Sequence, residues 1–275
     1  MEVNVIKTFD KDVEKAVINY IKGEQPIKVI NQSSRAVRSG LVNNEKEYTE
    51  YLNEFAIKLV SHKLKQSFEP EIPVIQATNA IDEIDKNINI LYERLRELYT
   101  LYYPEAVRKV SDAKQLARLL ENPERKEVSK ILRIASKSIG YEYGKEEFEM
   151  IKEFADELGD LIELRKKLED YVTMKIKKIA PKLSEFAGPM LTARLITIAG
   201  SFKRLALMPS STIQVLGAEK ALFRHLRTGA KPPKHGIIIQ HSSIQKAKKK
   251  DRGKAARKLS NKISIITRID YFENP

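Results

Sequence analysis

Between residues 81 and 102 the apolar side chains fall at Ile81, Ile84, Ile88, Leu91, Leu95, Leu98 and Tyr102, spaced 3, 4, 3, 4, 3 and 4. On a helix that alternation draws one seam, the a and d positions of a coiled coil held over three heptads. A strand cannot use it, because successive strand residues point to opposite faces. The seam needs a second helix to cover it, and the chain supplies one. From about Lys145 to Ile179, the residues Ile151, Ala155, Leu158, Ile162, Leu168, Val172, Ile176 and Ile179 share one broad face. Pro104 closes the first helix and Pro181 the second, since proline cannot donate in a helix interior. Shorter helical pieces between them break at "NPERKE" and "IGYEYG". Two long amphipathic helices around a compact insertion predict an antiparallel coiled-coil arm with a helical tip over residues 71–180; the alternative is ordinary helix packing within one bundle. A two-helix arm leaves part of its seam open, which predicts a homodimer with Ile84, Ile88, Leu91, Leu95 and Leu98 as dimerisation residues.

Upstream, residues 1–70 alternate short apolar runs (Val3, Val5, Ile6; Ile27, Val29, Ile30) with a helical pattern from about Glu45 to Lys65, the mixture expected of a small α+β domain. "SFEPEIPV" then places two prolines within four residues, as a linker or helix start does. Downstream, "EFAGPMLTARLITIAGSFKRLALMP" reads as a helix packed closely on its neighbours, with Gly188 and Gly200 permitting close approach or turns. The fold class is mainly α: an α+β N-terminal domain, the arm, and an all-α module over residues 181–275.

Charge separates that last module from the rest. From Lys182 to Pro275 there are 19 Lys and Arg against 5 Asp and Glu, leaving 31 against 32 in the first 181 residues. A cationic excess confined to one third of a chain suits a polyanion, and nucleic acid is the commonest inside a cell. The plainer alternative is a solvated basic face. Absence of cysteine excludes disulfides, thiol catalysis and thiolate metal sites. The first dozen residues carry acids and no apolar core, and no run approaches the roughly 18 apolar residues of a membrane span. The sequence therefore reads as a soluble intracellular chain.

A search for chemistry finds none. His62, His225, His235 and His241 make no H-E-x-x-H pair and no metal-ligand spacing. Gly140 with Gly144 and Lys145 falls one residue short of a phosphate loop, and Glu146 stands where Ser or Thr must meet magnesium. Acid pairs such as Asp82 and Glu83 lie on helices charged along one side. No catalytic residue, metal or cofactor is predicted.

What remains is residues 217–241, "GAEKALFRHLRTGAKPPKHGIIIQH". A helix can start at Gly217 and Ala218, whose small size lets backbone amides face a phosphate or a partner surface. Lys220, Arg224 and Arg227 then share one helical line beside Leu222, Phe223 and Leu226. Lys231, Lys234 and His235 follow on a proline-stiffened loop, "IIIQ" is expected to be buried, and His241 stands at its exit as either an RNA contact or a core residue. Further on, Ala256, Leu259, Ile263 and Ile266 share a face from which Lys254, Arg257, Lys258 and Lys262 point away. Two cationic helices bracketing a rigid loop suit a sugar-phosphate backbone at a bend.

"IQVLGAEKALFRHLRTG", with its G-A-x-K signature, followed by "PPKHGIIIQH" and "GKAARKLSNKISIITRIDYF", resembles the Nop domain. "RELYTLYYPE" resembles the central segment that precedes that domain in the same family. The resemblance is continuous over residues 77–275, and the core proteins of box C/D ribonucleoproteins, nucleolar and archaeal, fit it best. It implies a scaffold. The N-terminal domain would carry the methyltransferase fibrillarin, the coiled coil would form the homodimer, and the Nop domain would bind the kink-turn of a box C/D guide RNA together with a small ribosomal-type RNA-binding protein. The assembly would then 2′-O-methylate target RNA. From another class, a general structured-RNA-binding or ribosome-assembly factor without fibrillarin remains open.

Overall fold

The structure, a computed structural model, describes residues 12–23, 36–37 and 40–273, and these form helices and turns with no strand among them. The runs Val3, Val5, Ile6 and Ile27, Val29, Ile30, expected as strands, lie outside the described residues. The chain divides into two units, 1–69 and 70–275.

In the first unit, α1 (Val13–Gly23) and α2 (Glu45–Ser67) enclose Val13, Ala16, Val17, Tyr51 and Phe55, with the Tyr20 ring edge-on to Phe55 at 5.9 Å. The start of α2 is capped locally. Asn44 Oδ1 accepts from the Glu47 amide at 2.8 Å, and the Glu47 carboxylate accepts from the Asn43 amide at 2.8 Å, so amides with no intrahelical partner are satisfied. Beyond Phe55, Ile57, Val60, Leu64 and Phe68 face solvent.

In the second unit, α3 (Ile72–Tyr102) and α7 (Lys145–Ile179) pair lengthwise. Both stop where a following proline forces its predecessor out of the helical region: Tyr103 has φ −140° and ψ 73°, Ala180 φ −137° and ψ 70°. The pairing is antiparallel, since Ile81 shares a core with Val172 and Ile176 late in α7, whereas Ile88 and Leu95 share one with Ile151, Ala155 and Leu158 early in it. The seam is unevenly buried. Ile81, Ile88, Leu95 and Tyr102 are spent inside the chain, while Ile84, Leu91 and Leu98 are half-buried. Between the two cores Arg165 Nε donates to Asp85 Oδ1 at 2.7 Å and Arg165 also holds Glu169.

The insertion folds as α4 (Pro104–Val107), α5 (Ala113–Leu119) and α6 (Arg125–Leu132) around Tyr99, Tyr102, Tyr103 and Tyr143. Tyr99 OH donates to Pro123 O at 2.7 Å and Tyr143 OH to Leu98 O at 2.8 Å. Burial pushes the Tyr99 phenol far above its ordinary range. Arg125 ties the tip: Nη2 donates to Tyr102 O at 2.7 Å and Gly140 O at 3.0 Å, and the guanidinium lies 4.3 Å from the Tyr102 ring centroid. A Cβ at Gly140 would stand 2.0 Å from Tyr102 O, so this glycine is demanded by packing.

The segment expected as one helix after Pro181 is three: α8 (Pro181–Ala187), α9 (Pro189–Ala199) and α10 (Phe202–Leu207). Gly188 (φ +90°) and Gly200 (φ +89°) divide them, and nothing lies within 4 Å of a Cβ placed at Gly188, so handedness rather than close approach requires glycine there. Then follow α11 (Ser210–Val215), α12 (Glu219–Thr228), α13 (Ser242–Gln245) and α14 (Arg252–Glu273). Two acids cap helices from afar: buried Asp270 accepts from the Lys182 and Leu183 amides at 3.2 and 2.7 Å, and Glu71 accepts from the Phe202 amide at 3.0 Å.

Candidate nucleic-acid interface

The segment after α11 begins with a reversal at Gly217, whose φ of +82° only glycine adopts readily; a Cβ there would also come 3.3 Å from Ile198 Cδ1. Its amide donates to Glu219 Oε1 at 2.7 Å, and the Ala218 amide donates to Val215 O at 2.9 Å. Both amides are therefore spent within the chain, whereas amides at this helix start were expected to face a phosphate or a partner surface. Glu219 supplies the negative charge that the helix start attracts.

No residue of α12 is buried. Lys220, Arg224 and Arg227 are exposed along one line, as their spacing requires, and on the adjoining face Phe223 and Leu226 are 60% and 69% exposed beside half-buried Leu222. The helix thus offers solvent a cationic edge and an apolar edge at once. It ends at Gly229 (φ +67°), where the Gly229 amide donates to His225 O at 2.9 Å and His225 Nδ1 meets Ala230 O. His225 is accounted for as part of that end.

The following loop leaves Lys231 and Lys234 exposed and His235 half-buried. It is stitched to the end of α11: the Gly236 amide donates to Gln214 O at 2.8 Å, the Ile237 amide to Leu216 O at 2.8 Å, and Gln214 Nε2 to Lys234 O at 2.9 Å. The "IIIQ" run forms a single 3-10 turn, Ile237–Gln240, in which only Ile238 is fully buried. Ile237 and Ile239 are half-buried and pack against the same core, so the expected burial of the run is complete only at Ile238.

His241 is half-buried. Its Nδ1 accepts from the Ser243 amide at 3.2 Å, capping α13, while Nε2 lies 3.4 Å from Phe186 O and the two rings stack with centroids 6.0 Å apart. It therefore has structural work, with one part of its surface left to solvent. On α14, Ala256, Leu259 and Ile263 are buried and Ile266 half-buried, while Lys254, Arg257, Lys258 and Lys262 are exposed, as the periodicity requires. The loop and the start of this helix adjoin, since a Cβ at Gly253 would meet Lys234 Cδ at 3.8 Å. Lys246, Lys248, Lys249 and Lys250, which follow His241 in the chain, are exposed as well, and their clustering in the sequence is a charge signal of its own. Among the described residues no group of His, Asp and Glu is arranged to hold a metal, and no helix is long and apolar enough to cross a membrane.

The Nop family model, described as "snoRNA binding domain, fibrillarin", matches residues 80–275. An uncharacterized NOP5 family protein of Methanocaldococcus jannaschii is 40% identical over 248 residues, 84% of this chain and 60% of that protein. Nucleolar protein 56 of Caenorhabditis elegans is 38% identical over 72% of this chain and 46% of its own length, and nucleolar protein 58 of Yarrowia lipolytica is 35% identical over 91% and 54%. A chain solved in a fibrillarin/Nop5p complex is 26% identical with a TM-score of 0.47, covering 95% of this chain and 85% of that one. The chain spans between 46% and 60% of the length of these three sequence relatives. With the family model covering the arm from residue 80 onward and the whole basic module, the chain belongs to the Nop family.

Proposed function

We propose that this chain is a scaffold of a box C/D guide RNA-protein complex, bringing fibrillarin to a kink-turn RNA and its small RNA-binding protein for guided 2′-O-methylation. The observation that carries the reading is the double character of α12. A cationic edge of Lys220, Arg224 and Arg227 suits phosphates, and the exposed Phe223 and Leu226 beside it suit a protein surface, so the helix fits a target made of both. Lys231, Lys234, His235 and His241 on the stitched loop and turn, with Lys254, Arg257 and Lys258 on α14, extend the cationic surface. Gly217 and Ala218 serve it by turning the chain into α12. Fibrillarin falls to residues 1–70, where Ile57, Val60, Leu64 and Phe68 form an exposed apolar row suited to anchoring a partner. Residues 71–180 form the homodimer through the part of the seam left open: Leu98, Met150 and Phe154, with Glu153, Asp156 and Glu157, line a groove of about 560 Å³, and Leu91 and Ile84 are half-buried on the same helix as Leu98.

The test is to titrate the chain against a kink-turn RNA with and without its small RNA-binding protein. Binding that requires both supports the composite site. Equal binding to bare RNA supports a general structured-RNA-binding factor instead. A chain starting at Ile72 should keep RNA assembly and lose fibrillarin; retained fibrillarin binding moves that site elsewhere.

A further inference from the structure

Arg194 lies midway along α9 between Ala193 and Leu195, both fully buried, so the core fixes its backbone. Its side chain, 19% exposed, reaches two groups far apart in sequence. Nη2 donates to Asp82 Oδ1 on α3 at 2.8 Å, and Nη1 donates to Gln240 Oε1 at 2.9 Å. Nε is buried without a hydrogen-bond partner, so the guanidinium's grip consists of these two contacts. Gln240 ends the 3-10 turn and is bonded directly to His241. One planar fork thus joins the long-helix pair to the turn that carries the candidate RNA contact. A lysine ammonium, a single point of charge, does not reproduce that two-sided geometry.

We propose that Arg194 is a positioning residue for RNA assembly: by holding Asp82 and Gln240 together it fixes the 237–241 turn, and His241 with it, relative to the long helices. The inference rests on the RNA-binding reading of the same surface. Arg194 is 19% exposed, but Asp82 is 48% exposed and Gln240 is exposed, so water can take the place of either partner and the contacts add only modestly to global stability. Their effect is on where the turn sits. A turn that occupies its binding position for only part of the time weakens apparent affinity by that fraction.

Asp82→Ala separates positioning from charge, because the two act with opposite signs. Removing an acid from a protein that binds a polyanion strengthens binding electrostatically, whereas releasing the fork weakens it. The expected result with kink-turn RNA carrying its small RNA-binding protein is binding weaker by about five- to tenfold. Deuterium exchange at the His241 amide, which donates to Ile238 O at 3.0 Å, should quicken, with melting within about 2 °C of wild type. Arg194→Lys should behave alike, and Asp82→Ala should add nothing to Gln240→Ala, since the fork is already broken. An Asp82→Ala chain that binds as tightly as wild type, or more tightly, overturns the inference. Wild type failing to bind the loaded RNA overturns the RNA-binding reading itself, a distinct result in the same titration.

Discussion

Gly236→Ala tests whether the cationic loop must be held where it is. A Cβ at this position would stand 1.9 Å from Leu216 O and 2.7 Å from the carbonyl carbons of Leu216 and Val215, backbone atoms with no rotamer by which to yield. The loop must leave the end of α11, and three bonds leave with it: Gly236 N to Gln214 O, Ile237 N to Leu216 O, and Gln214 Nε2 to Lys234 O, at 2.8, 2.8 and 2.9 Å. At about 0.5–1.5 kcal/mol for each bond, net of its exchange with water, the expected loss is about 2–4 kcal/mol. For a unit of this size each kcal/mol moves the midpoint by about 2–4 °C, so calorimetry should find melting lowered by about 5–15 °C. Lys231, Lys234 and His235 are displaced together, and affinity for loaded kink-turn RNA should fall by more than about tenfold, as when a preformed surface is lost. Gly159→Ala is the control. It lies inside α7 with nothing within 4 Å of the added carbon, so alanine should stabilise by about 0.5–1 kcal/mol through the unfolded chain. A Gly236→Ala chain that melts and binds as wild type does would refute the reasoning.

Replacing Lys220 and Arg224 by Ala should weaken RNA assembly alike for all sequences and lower the salt slope by about 0.7–0.9 per lost phosphate contact; an unaltered slope removes α12 from the interface. Leu91→Lys, at a half-buried seam position, should leave the chain folded and split the dimer in sedimentation, whereas Leu95→Lys, fully buried within one chain, should unfold the arm. A wild-type chain that is monomeric at micromolar concentration counts against the dimer. Asp270→Ala strands the Lys182 and Leu183 amides and should cost about 2–4 kcal/mol in thermal unfolding; a wild-type midpoint would show that those amides find other partners.

Local periodicity carried much of the fold. The 3-4 spacing from Ile81 to Tyr102, the stops at Pro104 and Pro181, and the division of α14 into a buried Ala256, Leu259, Ile263 face and an exposed Lys254, Arg257, Lys258 face each depend on neighbours within about a turn. The cationic line on α12 was legible for the same reason. Where periodicity was nearly continuous, as from Pro181 to Leu207, the number of helices was not legible, although Gly188 and Gly200 marked the breaks. The engagement of the Gly217 and Ala218 amides, the unequal burial of the three isoleucines of Ile237–Gln240, and the capping role of His241 emerged only in three dimensions. So did the residues that lock the parts together: Arg125 on Tyr102 and Gly140, Asp270 on α8, Glu71 on α10, Arg194 between Asp82 and Gln240. A helix repeats every few residues and so writes itself into the order of side chains. A hydrogen bond between residues as far apart as Glu71 and Phe202 leaves no periodic trace, and only packing of the helices decides which donor meets which acceptor.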